Sequence, residues 1–455
     1  MTKDARRSIA TSPALLWSAF VLVHLWLGAV NLFGPGVPLG DVSIVYRFWT
    51  DQGIISHYWV GIDVPWVYPI VALVPMLAAR AFGVAQYSAT WLAMIMLLDA
   101  VAFAVIIGWG HRRQNSGIAW WWLGFLLLLG PIALGRIDSV TIPIAIVGVL
   151  IIASRPRAAI ALLTIATWIK VWPAAIVFAA FISVRDRVAL LVTATLTSVA
   201  IVAAALALGG GPNVFSFITA QTSRGLQVEA PVSAMWLWRA FAGAKDAVVY
   251  YDTNLLTWEI KGAGVDVASS LMSPLLAIVV IAVLLLGVAA VRNRAPVEQV
   301  FPSLSLAIIA AFIDFNKVGS PQYITWFAVV VILGLATRVA GWGRSFRVPA
   351  IVCLAIAGLT QIVYPYLYNF LLELNPLMLL VITAKDVLLF ALLAWATLSL
   401  WRLARAHVPL GEVGGQWLAP SSPFPADYES ERASGPTDRP SGANRDRLDV
   451  PKPPG

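Results

Sequence analysis

Residues 155–187 read RPRAAIALLTIATWIKVWPAAIVFAAFISVRDR, an apolar stretch with paired arginines at both ends and a lysine and a proline near its middle. Basic clusters mark the cytoplasmic flanks of membrane helices. A stretch that carries such a cluster at each end enters and leaves the membrane on the same side. Its turn falls at Lys170 to Pro173, where a charge and a helix breaker interrupt it. The stretch therefore predicts two short helices, 158–170 and 173–184, with Lys170 at the outer tip.

The same alternation of apolar run and basic punctuation fills most of the chain. Of 455 residues, 60% are hydrophobic and only 12% charged, where a soluble domain carries roughly a quarter charged. The mean hydropathy is +0.82. This composition excludes a soluble globular enzyme. The net charge of +8 comes mainly from Lys and Arg at the ends of apolar stretches. Such residues orient helices and leave no nucleic-acid footprint. Cys353, the single cysteine, lies in the apolar run VPAIVCLAIAGL, permits no internal disulfide and reads as a buried, inert thiol.

Placing Lys3/Arg6/Arg7, Arg112/Arg113, Arg155/Arg157, Arg185/Arg187, Arg292/Arg294, Arg338/Arg344/Arg347 and Arg402/Arg405 in the cytoplasm fixes a topology. The predicted helices are 13–33, 88–110, 118–134, 139–153, 158–170, 173–184, 188–208, 267–291, 297–313, 322–338, 348–369 and 376–401. The fold class is an all-α polytopic membrane protein of about twelve spans, with both termini cytoplasmic. The first helix resembles a signal sequence but is long and lacks a small-residue cleavage site, so it reads as uncleaved. Residues 64–83 could span, but counting them would invert every later helix. With Pro65, Pro69 and Pro75 they read as an interfacial or re-entrant segment on the outer side. The membrane domain covers 1–407, with outer loops 34–87 and 209–266. Residues 408–455, rich in Pro, Ser and Gly, read as a disordered cytoplasmic tail.

On this topology the remaining polar residues gather outside. The first loop offers Asp41 and Tyr46, then Asp51, His57, Tyr58 and Asp63. A tight turn offers Arg136 and Asp138, and the short hairpin Lys170. The segment SRGLQVEAPVS offers Arg224, Gln227 and Glu229, and FIDFNKVGSPQYITW offers Asp314, Asn316, Lys317, Gln322 and Tyr323. Carboxylates and cations from several segments at one membrane face suit a charged lipid headgroup and a polar co-substrate. Each has a plainer reading. Asp41 could cap a helix, Lys170 could snorkel, Arg136 and Asp138 could pair within their turn, and Arg224 and Glu229 could brace a loop. Asp99, in mid-span, is explained by a helix–helix hydrogen bond, and Lys385 beside Asp386 by an internal ion pair. The sequence carries no nucleotide-binding loop and no histidine metal motif. A divalent ion held by carboxylates and phosphate stays open, with no cofactor expected.

GDVSIVY (40–46), WVYP (66–69), GRID (135–138), WIKVWPA (168–174), RGLQVE (224–229) and SPQYITW (320–326), in that order, resemble glycosyltransferase family 87. These are actinobacterial polyprenol-phosphate-mannose-dependent mannosyltransferases of the glycosyltransferase C superfamily, and the resemblance runs from about 10 to 405. It implies a glycosyltransferase C-like fold in the plasma membrane. It also implies inverting transfer of mannose from a polyprenyl phosphate to a lipid or glycan acceptor at the extracytoplasmic face, in cell-envelope glycolipid synthesis. Asp41 matches the family's first-loop general base. The chain departs from the many superfamily members with two adjacent acids there, since Asp41 stands between Gly40 and Val42. Beside this expectation, Lys170, Arg224 and Lys317 are candidates for the leaving phosphate, and Tyr46, Arg136, Asp138, Gln227, Glu229, Gln322 and Tyr323 for substrate contact. The alternative is a transporter or flippase, which needs ionisable groups toward the midplane. Asp99, Lys385 and Asp386 are those candidates.

Overall fold

The computed structural model describes residues 10–220, 224–253 and 255–406. Lys3, Arg6 and Arg7 and the tail expected from 408 lie outside the described residues. The first helix, α1 (Pro13–Phe33), opens on a proline in its first turn, where the missing N–H costs no hydrogen bond. After it, a π-turn over Asp41–Tyr46 leads into α2 (Arg47–Ser56), which closes on His57 in the left-handed region. Residues 64–83 do not form one spanning helix. Pro69 is extended, a 3-10 turn covers Ile70–Ala72, and α3 (Leu73–Ala78) is only six residues long.

There follow α4 (Tyr87–Ile106), α5 (Ser116–Leu129), α6 (Asp138–Ile151), α7 (Pro156–Ile169), α8 (Ala174–Ser183) and α9 (Arg187–Ala207). The expected turn at Lys170–Pro173 falls between α7 and α8. The long connection after α9 contains α10 (Ala234–Phe241). It also contains a short two-stranded antiparallel sheet, β1 (Val248–Asp252) with β2 (Thr257–Lys261), a hairpin the sequence reading did not expect within a loop of this otherwise helical chain. The β-branched and aromatic residues of VVYYD and TWEIK favour strands, but five-residue strands leave no trace against helical runs four times as long. Then come α11 (Val265–Arg292), α12 (Val297–Asp314), α13 (Trp326–Val339) and α14 (Arg347–Gln361). The expected helix 348–369 is broken after α14 by a π-turn over Ile362–Tyr366 that holds Pro365, and resumes as α15 (Tyr368–Leu372). Proline removes a helical donor and clashes with the preceding turn. The last helix is α16 (Pro376–Arg405).

Among the described residues, nine helices are long and apolar enough to cross a membrane, and α6, α7 and α8 are shorter apolar helices. These twelve elements coincide with the twelve apolar stretches of the sequence. The chain is a helical, multi-pass membrane protein. Helix α12 is buried on every side from Val300 to Ala311, as is α13 from Trp326 to Gly334. A helix apolar all round belongs in such an interior. Small residues set the spacing: a Cβ added at Gly287 would meet the Leu304 side chain at 2.7 Å, so α11 lies directly on α12. In lipid this close packing, not hydrophobic transfer, holds helices together.

The mid-span polar residues are paired. Asp99 of α4 lies 3.0 Å from His24 of α1, a helix-to-helix contact, and Lys385 lies 3.6 Å from Asp386. Cys353 is buried. The two ends of the helices differ in charge. The connections α4–α5, α6–α7, α8–α9, α11–α12 and α13–α14, with the end of α16, carry the arginine clusters. The intervening connections carry Asp41, Arg136, Lys170, Glu229 and Tyr323.

Candidate functional site

Arg136 organises the polar end. The chain reaches it through a turn between α5 and α6, and α6 then starts on Asp138, an acid in a first turn where the helix dipole favours it. A Cβ added at the neighbouring Gly135 would lie 3.0 Å from both Asn31 Oδ1 and the Pro38 carbonyl. Glycine therefore lets this turn press against the first loop. Arg136 Nε lies 3.1 Å from Asp41 Oδ2. Its Nη1 donates to the carbonyls of Pro38 (2.7 Å) and Gly135 (2.8 Å), and its Nη2 to the Tyr364 hydroxyl (2.7 Å). One guanidinium thus ties together the first loop, the GRID turn and the Pro365 turn. Burial opposes its charge, but Asp41, then Tyr364 and Tyr46, hold its pKa above the usual range.

Asp41 opens the π-turn, a one-residue offset in helical winding that recurs at functional sites. One carboxylate oxygen is held by Arg136, while the side chain stays 39% exposed against 8% for Arg136. Five residues on, Tyr46 is buried, and its hydroxyl accepts from the Ile137 N–H at 3.2 Å. Burial, then Tyr68 and Asp41, raise its pKa well above the usual value, so it remains a hydroxyl.

A second couple lies beside the first. Lys170, extended between α7 and α8, places Nζ 3.7 Å from Asp138 Oδ2. The ring centres of Tyr68 and Tyr323 lie 4.6 and 6.0 Å from the same ammonium. Asp138 is fully buried, and its Oδ1 accepts from Trp326 Nε1 at 2.7 Å. Trp326 stacks on Trp172, whose Nε1 donates to Thr141 at 2.9 Å. Burial works against the Lys170 charge, but Asp138, Tyr68, Tyr323 and Asp41 together hold its pKa above the usual range. The ammonium keeps 16% of its side chain exposed. Arg224 adds a third cation, half-buried, with a buried Nε that has no hydrogen-bond partner, and it acts electrostatically on Tyr323.

Glu229 joins this group to a deeper one. It is buried, and its electrostatic partners are Lys385, Asp386 and Arg136; burial, the largest cause, pushes its pKa to about 7. Asp314, at the end of α12, is 1% exposed and neither carboxylate oxygen has a hydrogen-bond partner. Gln322 accepts from the Ser320 hydroxyl. Gln227 and Lys317 have described partners at the hairpin edge. The Gln227 N–H donates to the Lys317 carbonyl, and Lys317 acts on Glu259, which accepts from Gly225 N–H and the Tyr250 hydroxyl. Of the other first-loop acids, Asp51 pairs with Arg80 and Asp63 accepts from the Trp59 N–H. Asp41 is therefore the first-loop acid that is joined to the buried cations.

The residues missed by the sequence reading are Tyr68, Tyr364 and Trp326, which supply a hydroxyl, an indole donor and aromatic walls. Their signal was an aromatic residue beside a proline in WVYP and YPY, or at the start of an apolar run. Among the described residues, no three His, Cys, Asp or Glu side chains gather in a metal-binding group. Compared with protein-family models, with curated proteins and with solved structures, the chain matches none. The function is therefore argued from the site. A half-exposed carboxylate held by a buried guanidinium stands beside a second cation–carboxylate couple and a third cation. This arrangement can take a proton at Asp41 and hold a phosphate at Lys170 and Arg224.

Proposed function

We propose that the chain is a membrane glycosyltransferase of the glycosyltransferase C type. It moves mannose from a polyprenyl phosphate to an acceptor hydroxyl, with inversion, at the extracytoplasmic face of the plasma membrane. The observation that carries this reading is Asp41, partly exposed and held at 3.1 Å by buried Arg136 beside the Lys170–Asp138 couple. In the reaction, Asp41 takes the proton of the acceptor hydroxyl as its oxygen bonds to the sugar's anomeric carbon. The bond from that carbon to the phosphate oxygen breaks, and its electron pair leaves with the phosphate. Lys170 and Arg224 face the departing charge, and Tyr68, Tyr323 and Trp326 wall the sugar.

Arg136 is a positioning residue here: it fixes one oxygen of Asp41, whose side chain stays partly exposed. The three short apolar helices α6, α7 and α8, about 15–21 Å long, are counted as passages in this reading. With the nine longer helices they give twelve passages, and the arginine-rich end faces the cytoplasm. Lipid and glycan acceptors, rather than nucleotides, suit a site reached from the membrane surface.

The experiment is incubation of the purified protein with radiolabelled polyprenyl-phosphate-mannose and an actinobacterial lipid extract. A labelled glycolipid whose sugar has inverted anomeric configuration is the expected product. If polyprenyl-phosphate-mannose is left intact by active, folded protein across lipid and glycan acceptors, the reading is wrong. The transport reading draws on the Lys385–Asp386 pair about 15 Å into α16. It predicts movement of labelled lipid across proteoliposomes without any new glycosidic bond.

A further inference from the structure

The arginine-rich end holds a feature the proposed reaction does not use. A crevice of about 210 Å³ opens between the end of α8 and the end of α11, lined by Phe181, Ile182, Arg187, Val288, Val291 and Arg292. Both arginines are exposed and neither has an ion-pair partner among the described residues. Arg187 is pinned at one nitrogen, its Nη2 donating to the Ile182 carbonyl at 2.9 Å. The neighbouring arginines are Arg185 and Arg294, also exposed. Asp186 is the nearby acid in sequence, and it accepts from the Ala189 N–H as the cap of α9. Four guanidinium groups thus outnumber the two acids nearest in sequence, Asp186, engaged as a cap, and Glu298, buried in the first turn of α12.

The walls of the crevice continue as an apolar track. On α11, Ile278, Ile281 and Leu285 are 63%, 55% and 63% exposed. With Val288 and Arg292 they follow spacings of three, four, three and four, which place them on one helix face. Val283, Gly287 and Ala290 are buried on the opposite face, where Gly287 lies against Leu304 of α12. The exposed face therefore runs as a continuous apolar stripe down the helix and ends at Arg292, beside Arg187. Phe178 of α8, 55% exposed, lies one turn before Phe181. An apolar track that ends in two unpaired guanidinium groups at a membrane surface is complementary to a lipid whose acyl chain and phosphate are joined through one glycerol.

We propose that this crevice binds one anionic glycerophospholipid of the adjoining leaflet, with its phosphate between Arg187 and Arg292 and an acyl chain along the α11 stripe. The site lies at the end of the helices opposite Asp41, so it is independent of the proposed transfer. The partner is chosen by charge: a zwitterionic lipid of the same chain length offers the track a tail but carries an ammonium beside its phosphate.

The test measures binding of phosphatidylglycerol, phosphatidylcholine, polyprenyl phosphate and inorganic phosphate to the full-length protein in detergent by native mass spectrometry. The wild type should retain one phosphatidylglycerol roughly tenfold more tightly than phosphatidylcholine. The double variant Arg187→Gln/Arg292→Gln should lose that preference with an unchanged unfolding temperature. The control Arg155→Gln/Arg157→Gln removes the same charge from the same end and should keep it. Equal retention of the two phospholipids by the wild type would overturn the proposal. So would a preference surviving in the double variant, or lost equally in the control. Tighter binding of polyprenyl phosphate or inorganic phosphate than of phosphatidylglycerol would overturn the assigned partner. If the double variant does not fold, the single variants Arg187→Lys and Arg292→Lys decide: each should retain part of the preference, and full retention in both contradicts the site.

Discussion

Arg136 at one end of the helices and Arg157 at the other are the same residue type in opposite physical states. Arg157 is exposed in the first turn of α7 and pairs with no acid among the described residues. Its charge acts as a flank marker, and any cation nearby would serve. Arg136 is 7% exposed and engages Asp41, two carbonyls and a tyrosine hydroxyl. That guanidinium is specified by geometry, because a planar fork is needed to reach four partners on three segments. The contrast separates charge that orients a chain from charge that builds a site.

The largest effect expected from this contrast is on Arg136. Arg136→Gln leaves the Pro38 carbonyl and Tyr364 hydroxyl without their donor and Asp41 without its counter-charge, and should destabilise the protein by roughly 3–5 kcal/mol. Thermal unfolding in detergent checks it, and an unfolding temperature equal to the wild type's would mean that the guanidinium organises nothing.

Glu229 sharpens the comparison through pH. Burial raises this acid from 4.5 to about 7, so its contribution to stability is fully present below about pH 4.5. It is lost as pH rises through about 7. Over that window the wild type should lose up to about 3 kcal/mol at this group. Glu229→Gln, which cannot ionise, should lack the step. Identical pH–stability curves for the two proteins would remove Glu229 from the buried group.

At the other end, Arg157→Gln should change stability by less than about 0.5 kcal/mol, as an exposed substitution without partners does. Sidedness gives a further check. Cysteine at Lys245, in the exposed loop between α10 and β1, should react with an impermeant thiol reagent from outside intact cells, and cysteine at Ser154 should not. Labelling at Ser154 alone would reverse the orientation and place Asp41 in the cytoplasm.

The longer helices were legible because each is an apolar run of a length that lipid dictates, and the short 158–184 hairpin because basic residues flank it twice. The β-hairpin was not, since VVYYD and TWEIK carry a short-range signal inside a loop of mixed character. Pro365 stood in plain view, yet the apolar run 348–369 concealed that it ends a helix. In the site, Arg136, Asp138, Lys170 and Asp41 were read as separate candidates; that they form two adjacent couples depends on tertiary packing. Spacing along the sequence does not encode it. Gly319 illustrates the difficulty. A Cβ there would fall about 2 Å from the Glu229–Ala230 backbone, a contact across 90 residues that nothing local in KVGSPQY announces.

Asp41→Asn tests the central claim most directly. Asparagine keeps the size and helix-capping capacity of aspartate but cannot take the acceptor's proton. Turnover of radiolabelled polyprenyl-phosphate-mannose by the variant should fall by roughly a hundredfold or more, while the unfolding temperature and binding of the donor lipid stay close to those of the wild type. Turnover equal to the wild type's, in a protein that transfers mannose, would contradict the account and return Asp41 to a structural role.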